Sequence, residues 1–178
     1  MTNTLTSSGL LLLAILLLNT DVRAQGSTGN QQMSRAEALR VLKGCANRPI
    51  TLGCSEDTAG YLIDLYDHGD HLVLKPLLDA GLSSDGALTE ILGTFYSDVL
   101  WKHPRTFLGS LSSRPSKQQR YLCNLTGGTD GSGMPPGALK DVRRALARIM
   151  SQDQDRLSRV ARICLTEVNR TNPRATRR

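Results

Sequence analysis

The densest cluster of side chains able to do chemistry lies between residues 64 and 71, where three aspartates and two histidines occur close together. Carboxylates and imidazoles are common ligands of divalent metal ions, and both also act as general acids and bases. A metal or acid–base site in this segment would use Asp67, His68, Asp70 and His71.

The same segment also fits a structural turn between two helices. Gly69 is typical of a helix C-terminus, and Asp70 is a favourable N-cap for the helix that follows. His68 and His71 are three residues apart across this turn, so their rings need not converge on one ion. We therefore favour the turn, assign no catalytic residue and expect no cofactor, and we keep the metal site as the alternative.

Cysteines form the second group of reactive side chains. There are four of them, an even number, and three pairings are possible that the sequence alone does not distinguish. We favour Cys45–Cys54, which closes a short loop, together with Cys123–Cys164, which ties two distant helices. Of the two, the longer loop would constrain the unfolded chain more. A zinc site is the alternative, but the chain has no C-x₂-C motif or nearby histidine pair to complete one.

Positive charge is concentrated at the C-terminal end of the chain. Residues 140–178 contain eleven Lys/Arg and four Asp/Glu, a net charge of +7, whereas residues 25–139 contain ten and eleven, a net charge of −1. Such a surface is either a solvated helix face or a contact surface for anionic lipid head groups, an acidic polysaccharide or an acidic protein. The arginines that fall mostly outside the apolar stripes are Arg143, Arg144, Arg148, Arg156, Arg159 and Arg162.

Residues 1–24 have the pattern of a cleavable signal peptide. Leu10 to Leu18 form an apolar run of nine residues, whereas a helix that spans a bilayer needs about 20. Cleavage is expected after Ala24, although Met1 to Gly9 lack the usual Lys or Arg. Export predicts a secreted or periplasmic protein that is not integral to the membrane after cleavage. It also favours disulfides over free thiols and argues against nucleic acid as the partner.

Removing 24 of the 178 residues leaves 154, enough for one domain with its own core. Residues 25–33 are polar and predict a flexible tail. Residues 34–170 predict a helical domain, interrupted by a Gly-rich break at 126–137, and residues 171–178 form a basic C-terminal tail.

Apolar residues recur at helical spacing along this domain, and no segment shows the alternation typical of a half-buried strand. Ser34 with Glu37, and Ser116 with Gln119, have the spacing of capping boxes that begin helices. The longest helix is predicted from about residue 84 to 103. The fold class is therefore all-α, and the short turns predict antiparallel helical hairpins stacked over residues 55–123.

Part of this sequence resembles known helical proteins. The segment YLIDLYDHGD at residues 61–70, followed by Leu74 and Leu77-Leu78, resembles the hairpin of a HEAT-like repeat. The strings LYD-x-GD, KPLLDA, SDGAL, FYSDVL and P-x-x-FL are also similar to uncharacterised exported helical proteins of bacteria. The resemblance covers about half the chain and implies a hairpin fold, but no repeat of fixed period emerges.

From these observations we infer three candidate functions, in order of preference. The first is a non-catalytic binding or scaffold module in the cell envelope, whose partner is a protein or an anionic envelope component. The second is a four-helix secreted signalling ligand, which would also carry a signal peptide, four cysteines and the two N-glycosylation sequons at Asn124 and Asn169. The third is a metal-dependent enzyme that uses the Asp/His cluster at 64–71.

Overall fold

The computed structural model describes residues 33–45, 56–84, 86–127, 134, 137–152 and 156–171. The predicted signal peptide, the tail up to residue 32, Cys54 and the basic tail beyond Thr171 lie outside these residues. Within them the chain forms α-helices and one 3₁₀ turn and no strand, which confirms the all-α prediction. The elements are α1 (Arg35–Cys45), α2 (Glu56–Asp67), the 3₁₀ turn (His71–Val73), α3 (Leu74–Gly81), α4 (Gly86–Lys102), α5 (Pro104–Leu111), α6 (Ser116–Leu125), α7 (Ala138–Gln152) and α8 (Arg156–Thr171).

The turn after α2 forms as its sequence predicts. Gly69 has a φ of +102°, in the left-handed region that glycine adopts without strain. Its amide donates to the carbonyl of Tyr66 at 2.9 Å, and the amide of Asp70 donates to the carbonyl of Leu65 at 2.9 Å. These two bonds are the Schellman pattern, which satisfies carbonyls at the end of a helix. The structural role predicted for Gly69 is confirmed.

The two predicted capping boxes form only in part. The hydroxyl of Ser34 accepts a hydrogen bond from the amide of Glu37 at 3.2 Å, but the Glu37 carboxylate binds Arg40. At α6 the capping box is wrong, because Pro115 occupies the N-cap and makes no side-chain cap bond. The side-chain Nε2 of Gln119 instead donates to two carbonyls at the end of α5 and just beyond it, those of Leu111 and Arg114, at 3.1 and 2.8 Å.

Helix α4 is the central element of the described domain. It packs against α2, α3, α5, α6 and α7, so it is buried on more than one face. It is the longest of the described helices, which the sequence predicted from about residue 84 to 103, and it buries small and polar residues as well as large apolar ones. Its buried residues are Leu92, Gly93, Phe95, Tyr96, Ser97, Val99 and Leu100.

Two close approaches fix α4 against its neighbours. The hydroxyl of Tyr96 donates to the carbonyl of Leu77 in α3 at 2.6 Å, and Gly81 lies so close to the Tyr96 ring that a Cβ there would overlap the hydroxyl. On another side, the hydroxyl of Ser97 lies 2.5 Å from the carbonyl of Thr126. A Cβ at Gly93 would lie only 3.1 Å from the carbonyl oxygen of Leu125, at the end of α6.

The C-terminal helices are joined covalently. Cys123 of α6 and Cys164 of α8 form a disulfide with a Cα–Cα distance of 4.8 Å, which confirms the predicted pair. In the other predicted pair, Cys45 ends α1 and Cys54 lies outside the described residues, so this pairing stays a prediction. Helix α8 also packs against α7, and the described contacts join opposite ends of the two helices. Arg143 Nε donates to Asn169 Oδ1 at 2.7 Å, and the Ser158 hydroxyl donates to the Met150 carbonyl at 3.4 Å.

Met33, which the sequence assigns to the flexible tail, packs against the core beside Thr58. None of the helices in the described ranges combines the length and apolar content needed to cross a bilayer.

Replacing both Cys123 and Cys164 with Ala is expected to lower the free energy of unfolding by about 4 kcal/mol, because the disulfide closes a loop between residues 41 positions apart. Urea denaturation of the oxidised proteins measures this difference. Reductant should destabilise the wild type far more than the double variant. An unchanged denaturation midpoint in the double variant would contradict the assigned role of this disulfide.

Gly81→Ala is expected to destabilise the fold by about 1–3 kcal/mol, because the added methyl group overlaps the Tyr96 hydroxyl. Gly60→Ala is the matched control, since Gly60 lies inside α2 and its Cβ would meet nothing within 4 Å. That substitution should stabilise α2 by up to about 1 kcal/mol through helix propensity. Thermal denaturation of the two variants should shift in opposite directions, and a common shift would be inconsistent with the overlap.

Candidate functional site

The cluster at residues 64–71 lies at the end of α2 and in the turn before α3. Asp67, His68 and His71 are exposed, and Asp70 is partly buried. The four candidate ligands are not brought together, and the described residues contain no group of three or more His, Cys, Asp or Glu side chains arranged to hold a metal ion. The metal-site hypothesis therefore gains no support from the geometry.

His68 interacts with the helix from which it extends. Its Nδ1 lies 2.8 Å from the carbonyl oxygen of Asp64 and 3.4 Å from the carboxylate of the same residue. The hydrogen bond to the Asp64 carbonyl raises the pKa of His68, and the Asp64 and Asp67 charges raise it further. Both contacts of His68 are to Asp64, one turn earlier on the same helix. This is the usual arrangement of a histidine that stabilises a helix C-terminus.

Asp70 has a structural partner that the sequence did not suggest. It stands at the N-cap position of the 3₁₀ turn, as predicted, but its carboxylate makes no side-chain cap bond there. Its carboxylate instead forms an ion pair with the guanidinium of Arg35 at the start of α1. The hydrogen bond from Arg35 lowers the pKa of Asp70. Asp70 therefore joins the first helix to the turn, across 35 residues of sequence.

His71 lies among aromatic rings. Its ring centroid is 4.8 Å from that of Tyr66, in an edge arrangement, and 6.4 Å from that of His103. The Tyr66 hydroxyl is buried with no hydrogen-bond partner among the described residues, and burial raises its pKa. Tyr66 also packs edge-on against Phe95 of α4. The histidine thus covers a core aromatic residue, which is a packing role.

The six candidate arginines lie on α7 and α8, and the structure separates them into two groups. Arg143 is partly buried at the seam between the helices, where it binds Asn169. The other five, which we call the basic face, are exposed. They are Arg144, Arg148, Arg156, Arg159 and Arg162.

Few acidic residues balance these charges. Helices α7 and α8 together carry eight Lys/Arg and only Asp141 and Glu167 as acids. Asp141 pairs with Arg144 at 3.3 Å, and Glu167 pairs with Arg170 at 2.9 Å. Within these two helices positive charge is therefore in excess, and the five arginines of the basic face are exposed.

A third feature, which no sequence pattern predicted, is a cleft beside Arg114. The cleft has a volume of about 350 Å³ and lies between α3, α5 and the start of α6. In the sequence Arg114 marks only the end of a helix before a proline, and no motif distinguishes it. Its lining residues are Lys75, Asp79, Gly109, Ser110, Ser113, Arg114, Pro115 and Gln118.

Comparisons of this chain with protein-family models, with curated proteins and with solved structures found no match.

Asp64→Asn is expected to lower the pKa of His68 only in part, because the backbone carbonyl of residue 64 remains as an acceptor. A raised pKa means that the charged imidazole stabilises the fold below about pH 6.5, and that this contribution is lost as the pH rises through the folded-state pKa. An NMR titration of the His68 ring protons measures the shift. Asp67→Asn is the control and should have a smaller effect, whereas an unchanged pKa in Asp64→Asn would contradict the assignment.

Proposed function

We propose that this chain is an exported, non-catalytic binding protein whose basic face on α7 and α8 holds an anionic component of the cell envelope. The observation that carries the proposal is the exposure of five arginines on two helices that contain only two acidic residues. A surface of this kind attracts a polyanion by summed electrostatic attraction and needs no catalytic group.

The composition of the basic face favours a non-protein partner. Protein interfaces depend on a few buried aromatic or large apolar anchors. Among the described residues the exposed large apolar side chains are Leu72 and Tyr121, and neither belongs to α7 or α8. Anionic lipid head groups need no apolar anchor, because each basic residue near their surface contributes attraction independently. We therefore favour an anionic lipid surface, with an acidic polysaccharide as the competing ligand to test.

The proposed location rests on the signal-peptide pattern at residues 1–24. The Cys123–Cys164 disulfide is consistent with it, since disulfides persist in oxidising compartments. We also propose that the helices stack as hairpins, partly in the HEAT-like manner. Packing of consecutive helices supports this arrangement for α1 with α2, α4 with α5 and α7 with α8.

The two alternatives have less support. A four-helix signalling ligand is built from long rods, whereas the described α-helices have 8 to 17 residues. Both sequon asparagines lie within helices, and Asn169 is bound by Arg143, whereas used sequons lie in surface loops. A metal-dependent enzyme would need the Asp/His side chains to converge, and they are engaged separately with Asp64, Arg35 and Tyr66.

The test is co-sedimentation of the protein with vesicles that contain either anionic or neutral lipids, at rising salt concentration. Binding should require anionic lipid and should weaken with salt, because exposed charges are screened. Replacing Arg159 and Arg162 with Gln should weaken binding about 30-fold, at about 1 kcal/mol for each charge.

Lys117→Gln with Arg120→Gln is the matched control. These two residues are also exposed and three positions apart on one helix, α6, so the variant loses the same net charge from another surface. Equal weakening of binding in both variants would show that only net charge matters. Binding that is insensitive to salt would contradict the proposal. If a soluble acidic polysaccharide releases the protein from the vesicles at a lower concentration than competing anionic vesicles do, the polysaccharide and not the lipid is the partner.

A further inference from the structure

The cleft beside Arg114 contains a buried cation that the fold only partly satisfies. The Arg114 side chain is 9% exposed, and its Nη1 forms an ion pair with Asp79 at 2.7 Å. Its Nη2 donates to the carbonyl of Lys75 at 3.4 Å, and its Nε is buried with no partner among the described residues. A guanidinium has five N–H donors, and burying such a charge is costly unless its donors are bound.

Asp79 compensates this charge incompletely. Its side chain is 50% exposed, so solvent weakens its attraction for the guanidinium. Lys75 adds a second positive charge to the lining, and its ammonium group has no ion-pair partner in the described part of the chain. With two cations and one carboxylate, the charged lining residues carry a net positive charge.

The uncharged lining residues add hydrogen-bonding groups. Ser113 and Gln118 line the same cleft, and neither side chain has a hydrogen-bond partner among the described residues. Ser110 differs, because its hydroxyl already donates to the carbonyl of Thr106 at 3.0 Å. The cleft therefore places an ammonium, a hydroxyl and an amide beside a buried guanidinium, which are the donors that bind carboxylates and phosphates.

We propose that this cleft binds a small organic ligand through an oxyanion group, either a carboxylate or a phosphate. The volume of about 350 Å³ is at the lower end of the range for small-molecule sites, about 300–1,000 Å³, and exceeds the size of a bare oxyanion. The oxyanion accepts hydrogen bonds from Lys75, Ser113 and the guanidinium of Arg114. This site is separate from the basic face, since no residue of α7 or α8 lines it.

The test is an NMR titration of the oxidised full chain with sodium succinate and with sodium phosphate, using sodium chloride at matched ionic strength as the reference. We expect saturable shifts of the Ser113 and Gln118 amides at millimolar probe. Saturation by succinate alone identifies a carboxylate ligand, saturation by phosphate alone a phosphate ligand, and saturation by both a general oxyanion site. Saturation by neither probe beyond the effect of chloride would overturn the proposal.

Variants at the exposed rim avoid unfolding the protein, which removal of the buried Arg114 would risk. Lys75→Gln and Ser113→Ala should each weaken binding of the effective probe, Lys75→Gln by about tenfold, the value of one charge-assisted hydrogen bond. Lys140→Gln is the matched control, because Lys140 is an exposed lysine of α7 that does not line the cleft. If Lys75→Gln and Lys140→Gln weaken probe binding equally, the effect depends only on net charge and the proposed site is refuted.

Replacing Arg159 and Arg162 with Gln separates this proposal from the proposed function. That double variant should keep its affinity for the small probe while its binding to anionic vesicles weakens. The cleft proposal and the vesicle proposal can therefore fail independently.

Discussion

The buried hydroxyl of Tyr96 makes the contact that holds α3 closely against the central helix α4. It donates to the carbonyl of Leu77, and Gly81 allows α3 to approach the ring closely. Burial raises the pKa of Tyr96, with a smaller opposing effect from the nearby Arg114 charge, so the hydroxyl remains a neutral donor. Because α3 also supplies Lys75 and Asp79, this contact sets the position of one wall of the cleft.

The C-terminal helices depend on a different constraint. The disulfide joins α6 to α8, and Ser97 and Gly93 let the end of α6 lie against α4. Helix α7 then covers α8, with Arg143 bound at the seam. Once the apolar faces of α7 and α8 are buried inward, the remaining arginines have only the solvent side available. The basic face is thus a consequence of amphipathic helix packing.

The two proposed binding surfaces use charge in different ways. On the basic face the arginine heads are hydrated and separated, so each contributes little and salt weakens their sum. In the cleft Arg114 is already removed from water, so a bound oxyanion would replace a hydration shell that folding has displaced. A surface of the first kind suits an extended polyanion, whereas the cleft suits a small ligand of defined shape.

Local patterns in the sequence determined most of the helices, the Gly69 turn and the excess of arginine on α7 and α8, because each depends on residues within a few positions of one another. Contacts between distant residues were decided only by the tertiary structure. They include the Arg35–Asp70 ion pair, the donation from Gln119 to the end of α5, the burial of Tyr96 against Gly81, and the grouping of Lys75 with Ser113 and Arg114. Hydrogen-bond donors and charges take the best partner that packing brings near, and helical spacing along the chain carries no information about that partner.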